Sequence, residues 1–144
     1  MFGFVFLALA ATVSFSQTNE KNAALADTGP IRASAAYAEI LLRKTELQAE
    51  LESLLPDYTE KNPKIIDLRL ELSALNSSLE RVFSVKPSES GKLTLALGKL
   101  IVRKAALDAD LAHLLQSYNN DHPEVKRMRR KVDIFDAAIN EVLH

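Results

Sequence analysis

Three histidines, two methionines and no cysteine bound what this chain of 144 residues can do with metals or nucleophiles. Without cysteine there is no disulfide, no thiolate metal site and no Cys-x-x-Cys-His haem attachment. A helical bundle holds a metal or haem where side chains converge inward. Here His113 lies two positions after Leu111 and one before Leu114, on the outward side of a heptad, while His122 stands at a helix start and His144 is the last residue. They share no helical face, and no Glu-x-x-His pair accompanies them. Met128 could ligate an iron, but it occupies a core slot. Nucleophilic catalysis needs a base positioned beside Ser, Thr or Lys. Ser88 and Ser90 fall in a linker, Ser77 and Ser78 on a solvated face, and Glu46, Glu50 and Glu52 on outward positions. No convergent acid-base constellation can be assembled, so the expectation is a non-enzyme with no cofactor and no metal.

Binding is the chemistry that remains. Lys126, Arg127, Arg129, Arg130 and Lys131 form the one dense basic run. It reads either as a patch for an anionic ligand, such as an acidic polysaccharide or lipid headgroup, or as a solvated face neutralised by Asp121, Glu124 and Asp133. Residues 17–90 carry 9 basic and 12 acidic side chains, and residues 91–144 carry 9 and 7, so the halves stand at −3 and +2. A net charge of −1 and a basic run without interleaved aromatics argue against nucleic acid. Tyr58 and Tyr118, each five residues before a proline, read as aromatic lids on helical hairpins. The alternative is a pair of hairpin tips offered to a partner, Tyr58, Asn62 and Pro63 at one and Tyr118, His122 and Pro123 at the other.

The elements that position these residues follow from pattern. Residues 1–16 carry no charge and end in Ser14 and Ser16, the small residues an exporting peptidase requires at −3 and −1. They are expected to be a signal peptide and the protein to be exported, periplasmic or secreted. The alternative is a short membrane anchor, although the run is below the about 20 residues of a spanning helix. Residues 17–30 are polar and end in the breaker Gly29-Pro30, and the segment 17–32 reads as a flexible linker.

From there the chain matches itself at a shift of sixty residues without a gap, with 12 identities over the 49 positions 35–83. Among them are Arg43-Lys44 with Arg103-Lys104, Leu54-Leu55 with Leu114-Leu115, Tyr58 with Tyr118, Pro63 with Pro123 and Arg69 with Arg129. Each copy has two heptad arms: Tyr37, Ile40, Lys44, Leu47, Leu51, Leu54 and Tyr58, then Ile65, Leu68, Leu72, Leu75, Leu79 and Val82, in the first. The spacing is that of helices packed knobs-into-holes, and the period of two that strands require is nowhere sustained.

The short connectors 56–63 and 116–123 force the arms antiparallel. Pro63 and Pro123 suit the first turn of each returning helix, and Asn62 suits its cap, with His122 in its place in the second copy and Asp121 as a substitute. The expected fold is therefore all-α: two tandem antiparallel αα-hairpins, residues 33–83 and 92–144, from an internal duplication, joined by a linker at 84–91. Extra apolar residues beside the seam (Leu41, Leu42, Leu55, Ile66, Leu70, Leu95, Ile101, Val102 and Leu115) want a second hairpin to cover them. An up-down four-helix bundle would do so; the alternative is a pair of extended hairpins that find other copies. Lys44 and Lys104, inside the seams, either pack by their stems with the ammonium in solvent or form a polar layer that sets register.

The segments Leu54-Leu-Pro-Asp-Tyr-Thr-Glu-Lys-Asn-Pro-Lys-Ile65 and Leu114-Leu-Gln-Ser-Tyr-Asn-Asn-Asp-His-Pro-Glu-Val125, each followed by a heptad helix, resemble the periplasmic coiled-coil hairpins of the polysaccharide chain-length determinant (co-polymerase) family. The resemblance covers most of 35–83 and 95–143 and implies a helical-hairpin module of the bacterial envelope, with no catalytic residue to carry over. The functional expectation is an exported interaction or scaffold protein that uses its helical faces for a protein partner or for self-association. The alternative is an accessory of polysaccharide synthesis or export that joins a membrane co-polymerase. Membrane contact is expected only if residues 1–16 are retained.

Overall fold

The computed structural model describes residues 28–144, which are all-helical with no strand. The expected signal peptide or anchor at 1–16, and residues 17–27 of the expected linker, lie outside the described residues. A single turn, α1 (Gly29–Arg32), is followed by α2 (Ala35–Leu54), α3 (Pro63–Phe83), a 3-10 turn at Pro87–Lys92, α4 (Leu95–Ser117) and α5 (Pro123–Leu143). Each long helix starts on a side-chain acceptor that satisfies an otherwise orphaned amide. Ser34 Oγ accepts from the Tyr37 N–H and Thr94 Oγ1 from the Leu97 N–H. Asn62 Oδ1 accepts from the Lys64 N–H at 2.9 Å, and His122 Nδ1 from the Glu124 N–H at 3.3 Å. The histidine is thus itself the cap, its Nδ1 accepting the bond, while Asp121 pairs with Lys126 instead. Helix α4 outruns α2: the first copy has Pro56 where the second has Gln116, and a proline has no amide hydrogen to continue the helical ladder past Leu55, whose own backbone angles are still helical.

The helices pack as a bundle around α4, which lies against α2, α3 and α5, while α2 also packs on α3. Within the first hairpin two ion pairs share one register: Arg43 reaches Glu71 at 2.8 Å and Lys64 reaches Glu50 at 3.0 Å, a heptad forward on one helix and a heptad back on the other. The two starting helices, α2 and α4, are parallel and touch at their N-termini. There the Ala36 N–H donates to the Leu93 carbonyl at 3.1 Å. At the opposite end Asp67, early in α3, meets His113, late in α4. Both hairpin tips therefore lie at the same end of the bundle, and α1, the 3-10 turn and the end of α5 close the other.

Residues 29–32 differ from the linker expected at 17–32. Gly29-Pro30 opens a helical turn rather than breaking one, and Ile31 is 1% exposed. The base of the first hairpin would otherwise leave apolar surface open to water, and Ile31 covers it. Nearby, the Arg32 guanidinium sits 5.5 Å over the Phe83 ring, which also packs on Tyr37. The core runs through Ile40, Leu47, Leu51, Ile65, Leu68, Leu75, Val82, Leu97 and Ile101.

The duplication is not equal in burial. Leu75 is fully buried in α3, whereas its counterpart Phe135 in α5 is half-buried. Helix α3 is enclosed by α2 and α4, but α5 has one long partner, α4, and contributes only Val125 and Ile139 as fully buried residues. Of the apolar residues expected to be covered, Ile101 is buried and Leu55, Ile66, Leu70 and Val102 are half-buried, while Leu41, Leu42, Leu95 and Leu115 stay exposed.

The tightest approach is at Gly98. A methyl group there would lie 2.9 Å from the Ala36 Cα and 2.9 Å from the Glu39 Cβ, so two backbones would have to separate. Gly98→Ala gains about 0.5–1 kcal/mol of helix propensity but costs about 1–3 kcal/mol of overpacking. A net loss of thermal stability is expected by calorimetry, larger for Gly98→Val; an unchanged or raised Tm would mean that α2 and α4 are not in contact here.

Candidate functional site

The tips present the candidate contact residues in a shared construction. In each, an arginine nine residues on ties the connector to the returning helix: Arg69 donates to Glu60 Oε1 at 2.6 Å and Arg129 to Asn120 Oδ1 at 2.5 Å. The identity of Arg69 with Arg129 in the repeat carried this signal, although the acceptors differ. With the connectors held by these bonds and by the caps at Asn62 and His122, Tyr58 is 51% exposed and Tyr118 45%. Neither tyrosine therefore closes its hairpin as a lid: each connector carries its ring outward past the last buried turn. Tyr118 instead stacks on His122, ring centroids 4.0 Å apart. Pro63 and Pro123 are exposed at the first turn of α3 and α5, and Asn62 and His122 are half-buried beneath.

The basic run lies on the first turns of α5, beside the second tip, with Lys126, Arg127, Arg129, Arg130 and Lys131 all exposed. Three of the five are occupied locally. Lys126 pairs with Asp121 at 3.1 Å, Arg127 with Glu124, and Arg129 with Asn120. Among the described residues Arg130 and Lys131 have no ion-pair partner. Two of the five charges are thus neutralised within the hairpin, while Arg129, Arg130 and Lys131 keep theirs to attract an anionic surface.

A polar cluster missed at the level of sequence joins three helices farther down. Arg81 of α3 donates to Asp136 at 2.9 Å and to Asn140 at 2.7 Å, both on α5. Lys104 of α4 reaches Asp108 at 2.9 Å and Asp136 at 3.8 Å, with only 16% of its side chain exposed. Lys104 is accordingly part of a polar layer between helices, whereas Lys44, its counterpart in the repeat, pairs with no acid among the described residues. Folding alone could place Asp136 opposite both cations, because its counterpart in the first copy is Asn76. The Arg81 hydrogen bond, with Lys104 adding attraction, holds the Asp136 carboxyl below the usual carboxylate range. Beside this cluster a groove of about 350 Å³ runs between α3 and α4, lined by Leu70, Ala74, Ser77, Ala109 and Ala112. Among the described residues no group of three or more His, Asp or Glu side chains could hold a metal.

Two outcomes are expected. Tyr58→Ala and Tyr118→Ala, made singly, should each lower stability by less than about 1 kcal/mol in urea titrations, since half-exposed side chains away from the core contribute little. For Asp136, the folded-state shift is downward, so its contribution is present at pH values above the unfolded aspartate range and is lost as pH falls through the folded value. The Tm deficit of Asp136→Asn, visible at pH 7, should therefore shrink towards zero below about pH 4. A deficit independent of pH would mean that the charge plays no part.

No protein-family model, curated protein or solved structure matches this chain, so its function rests on its own residues and geometry.

Proposed function

We propose that the protein is a non-enzymatic helical-hairpin module that acts by interaction or scaffolding in the bacterial cell envelope. The observation that carries this reading is the pair of half-exposed tyrosine tips at one end of the bundle, each braced by its own arginine and helix cap. A braced, exposed aromatic offers contact area at low entropic cost, which is the chemistry of partner recognition. The envelope assignment is supported by the uncharged run at 1–16 and by the resemblance to chain-length determinant hairpins. Among the described residues no helix is long and apolar enough to cross a membrane. That same resemblance favours one second reading, an accessory that joins a polysaccharide co-polymerase. The free cations Arg130 and Lys131 beside the second tip would then face an acidic glycan or lipid headgroup.

The absence of cysteine makes the test direct. A single cysteine at exposed Ser88 should react with a membrane-impermeant maleimide in intact cells, and a photo-reactive residue at Tyr58 or Tyr118 should cross-link to an envelope protein. A cross-link to a membrane co-polymerase selects the second reading. Protection of the cysteine until the cells are lysed would overturn the envelope assignment, and tips that cross-link to nothing would overturn the scaffold.

A further inference from the structure

Two helix faces on the flanks of the bundle carry heptad stripes that the intramolecular core does not use. On α2, Ala38, Leu42, Thr45, Ala49 and Glu52 step by 4, 3, 4, 3 and are all exposed. On α5, Arg127, Arg130, Ile134, Ala137 and Glu141 step by 3, 4, 3, 4 and are also all exposed. Leu42 is 57% exposed and Ile134 67%, the two highest values among the exposed large hydrophobic residues. A 3.5-residue period is the pattern by which one helix receives another, and each stripe has a large apolar side chain within it.

Charge says what fits. The C-terminal half of the α2 face is acidic, with Glu52 beside Glu46 and Glu50, which pair with Arg43 and Lys64. The N-terminal half of the α5 face is basic, with Arg130 and Lys131 beside Arg127, which pairs with Glu124 and would exchange that partner on docking. Set antiparallel, the two stripes bring Glu52 to Arg127, Ala49 to Arg130, Thr45 to Ile134, Leu42 to Ala137 and Ala38 to Glu141, so the large Leu42 and Ile134 meet smaller residues and one pair of opposite charges, Glu52 with Arg127, meets. Within one molecule α2 and α5 lie on separate flanks of α4. We infer that the α5 face of one molecule docks on the α2 face of a second copy of this chain. The inference rests on the scaffold reading and names its partner.

The geometry has a consequence for assembly. Helices α2 and α5 run in opposite directions within the bundle, so antiparallel docking keeps successive copies co-oriented, with all tips on one side. The contact is heterologous and generates a ring if the rotation closes, or an open row if it does not. A stripe of fifteen residues spans about 22 Å at 1.5 Å per residue, a small interface, so the association is weak and salt-sensitive.

Sedimentation velocity on the full chain over a range of concentrations tests it. The wild type should associate, Ile134→Glu should weaken that association at least about tenfold, and Glu52→Arg should weaken it while the double variant Glu52→Arg/Arg127→Glu restores it. All three positions are exposed, and an unchanged Tm confirms that each variant folds. A monomeric wild type, or association indifferent to these substitutions, would overturn the inference. If tip cross-linking to an envelope protein persisted in that case, the scaffold reading would stand and only self-docking would fall.

Discussion

The fold depends on how closely α4 can approach α2. At Gly98 the missing side chain lets the α4 backbone lie against Ala36, and the Ala36 N–H then reaches the Leu93 carbonyl. This contact joins the starting ends of two helices that run the same way, so it sets the two hairpins parallel rather than end to end. Once α4 lies there, Leu97 and Ile101 enter the core of the first hairpin beside Ile40. The shared placement of both tips at one end, and of α1 with the 3-10 turn at the other, follows from it.

That approach also breaks the symmetry of the duplication. The counterpart of Gly98 in the first copy is Ala38, which is exposed, so the two starting helices use different faces. Helix α4 becomes the shared wall, α3 is enclosed, and α5 is left with one long partner. Charge supplements the thinner apolar contact: Arg81, Lys104, Asp136 and Asn140 bring α5 to α3 and α4. Such partly exposed pairs each add little stability, but their geometry selects one placement of α5 over neighbouring ones.

Heptad spacing, connector length and turn chemistry made the helices, the hairpins and their duplication legible without coordinates, because each is a local constraint. Pro63 and Pro123 open their helices and Asn62 caps, as their chemistry requires. The caps at Ser34 and Thr94 could have been read too, since they repeat at the same shift of sixty residues. The burial of Ile31 could not, because Gly29-Pro30 reads locally as a breaker, and only a half-covered core elsewhere makes a helical turn favourable there. Nor could the exposure of Tyr58 and Tyr118, which depends on where the connectors leave the last buried turn.

What the sequence determined by itself is the periodicity: four long amphipathic helices, paired by short connectors, with no strand-forming alternation and no cysteine chemistry. The tertiary structure decided which face of each helix is buried, why Lys104 is ion-paired across helices, and which apolar residues of α2 and α5 remain on the outside. The physical reason is that a heptad seam specifies that a helix will be covered, whereas the identity of the covering helix depends on side-chain volume at a few contacts, of which Gly98 is the tightest.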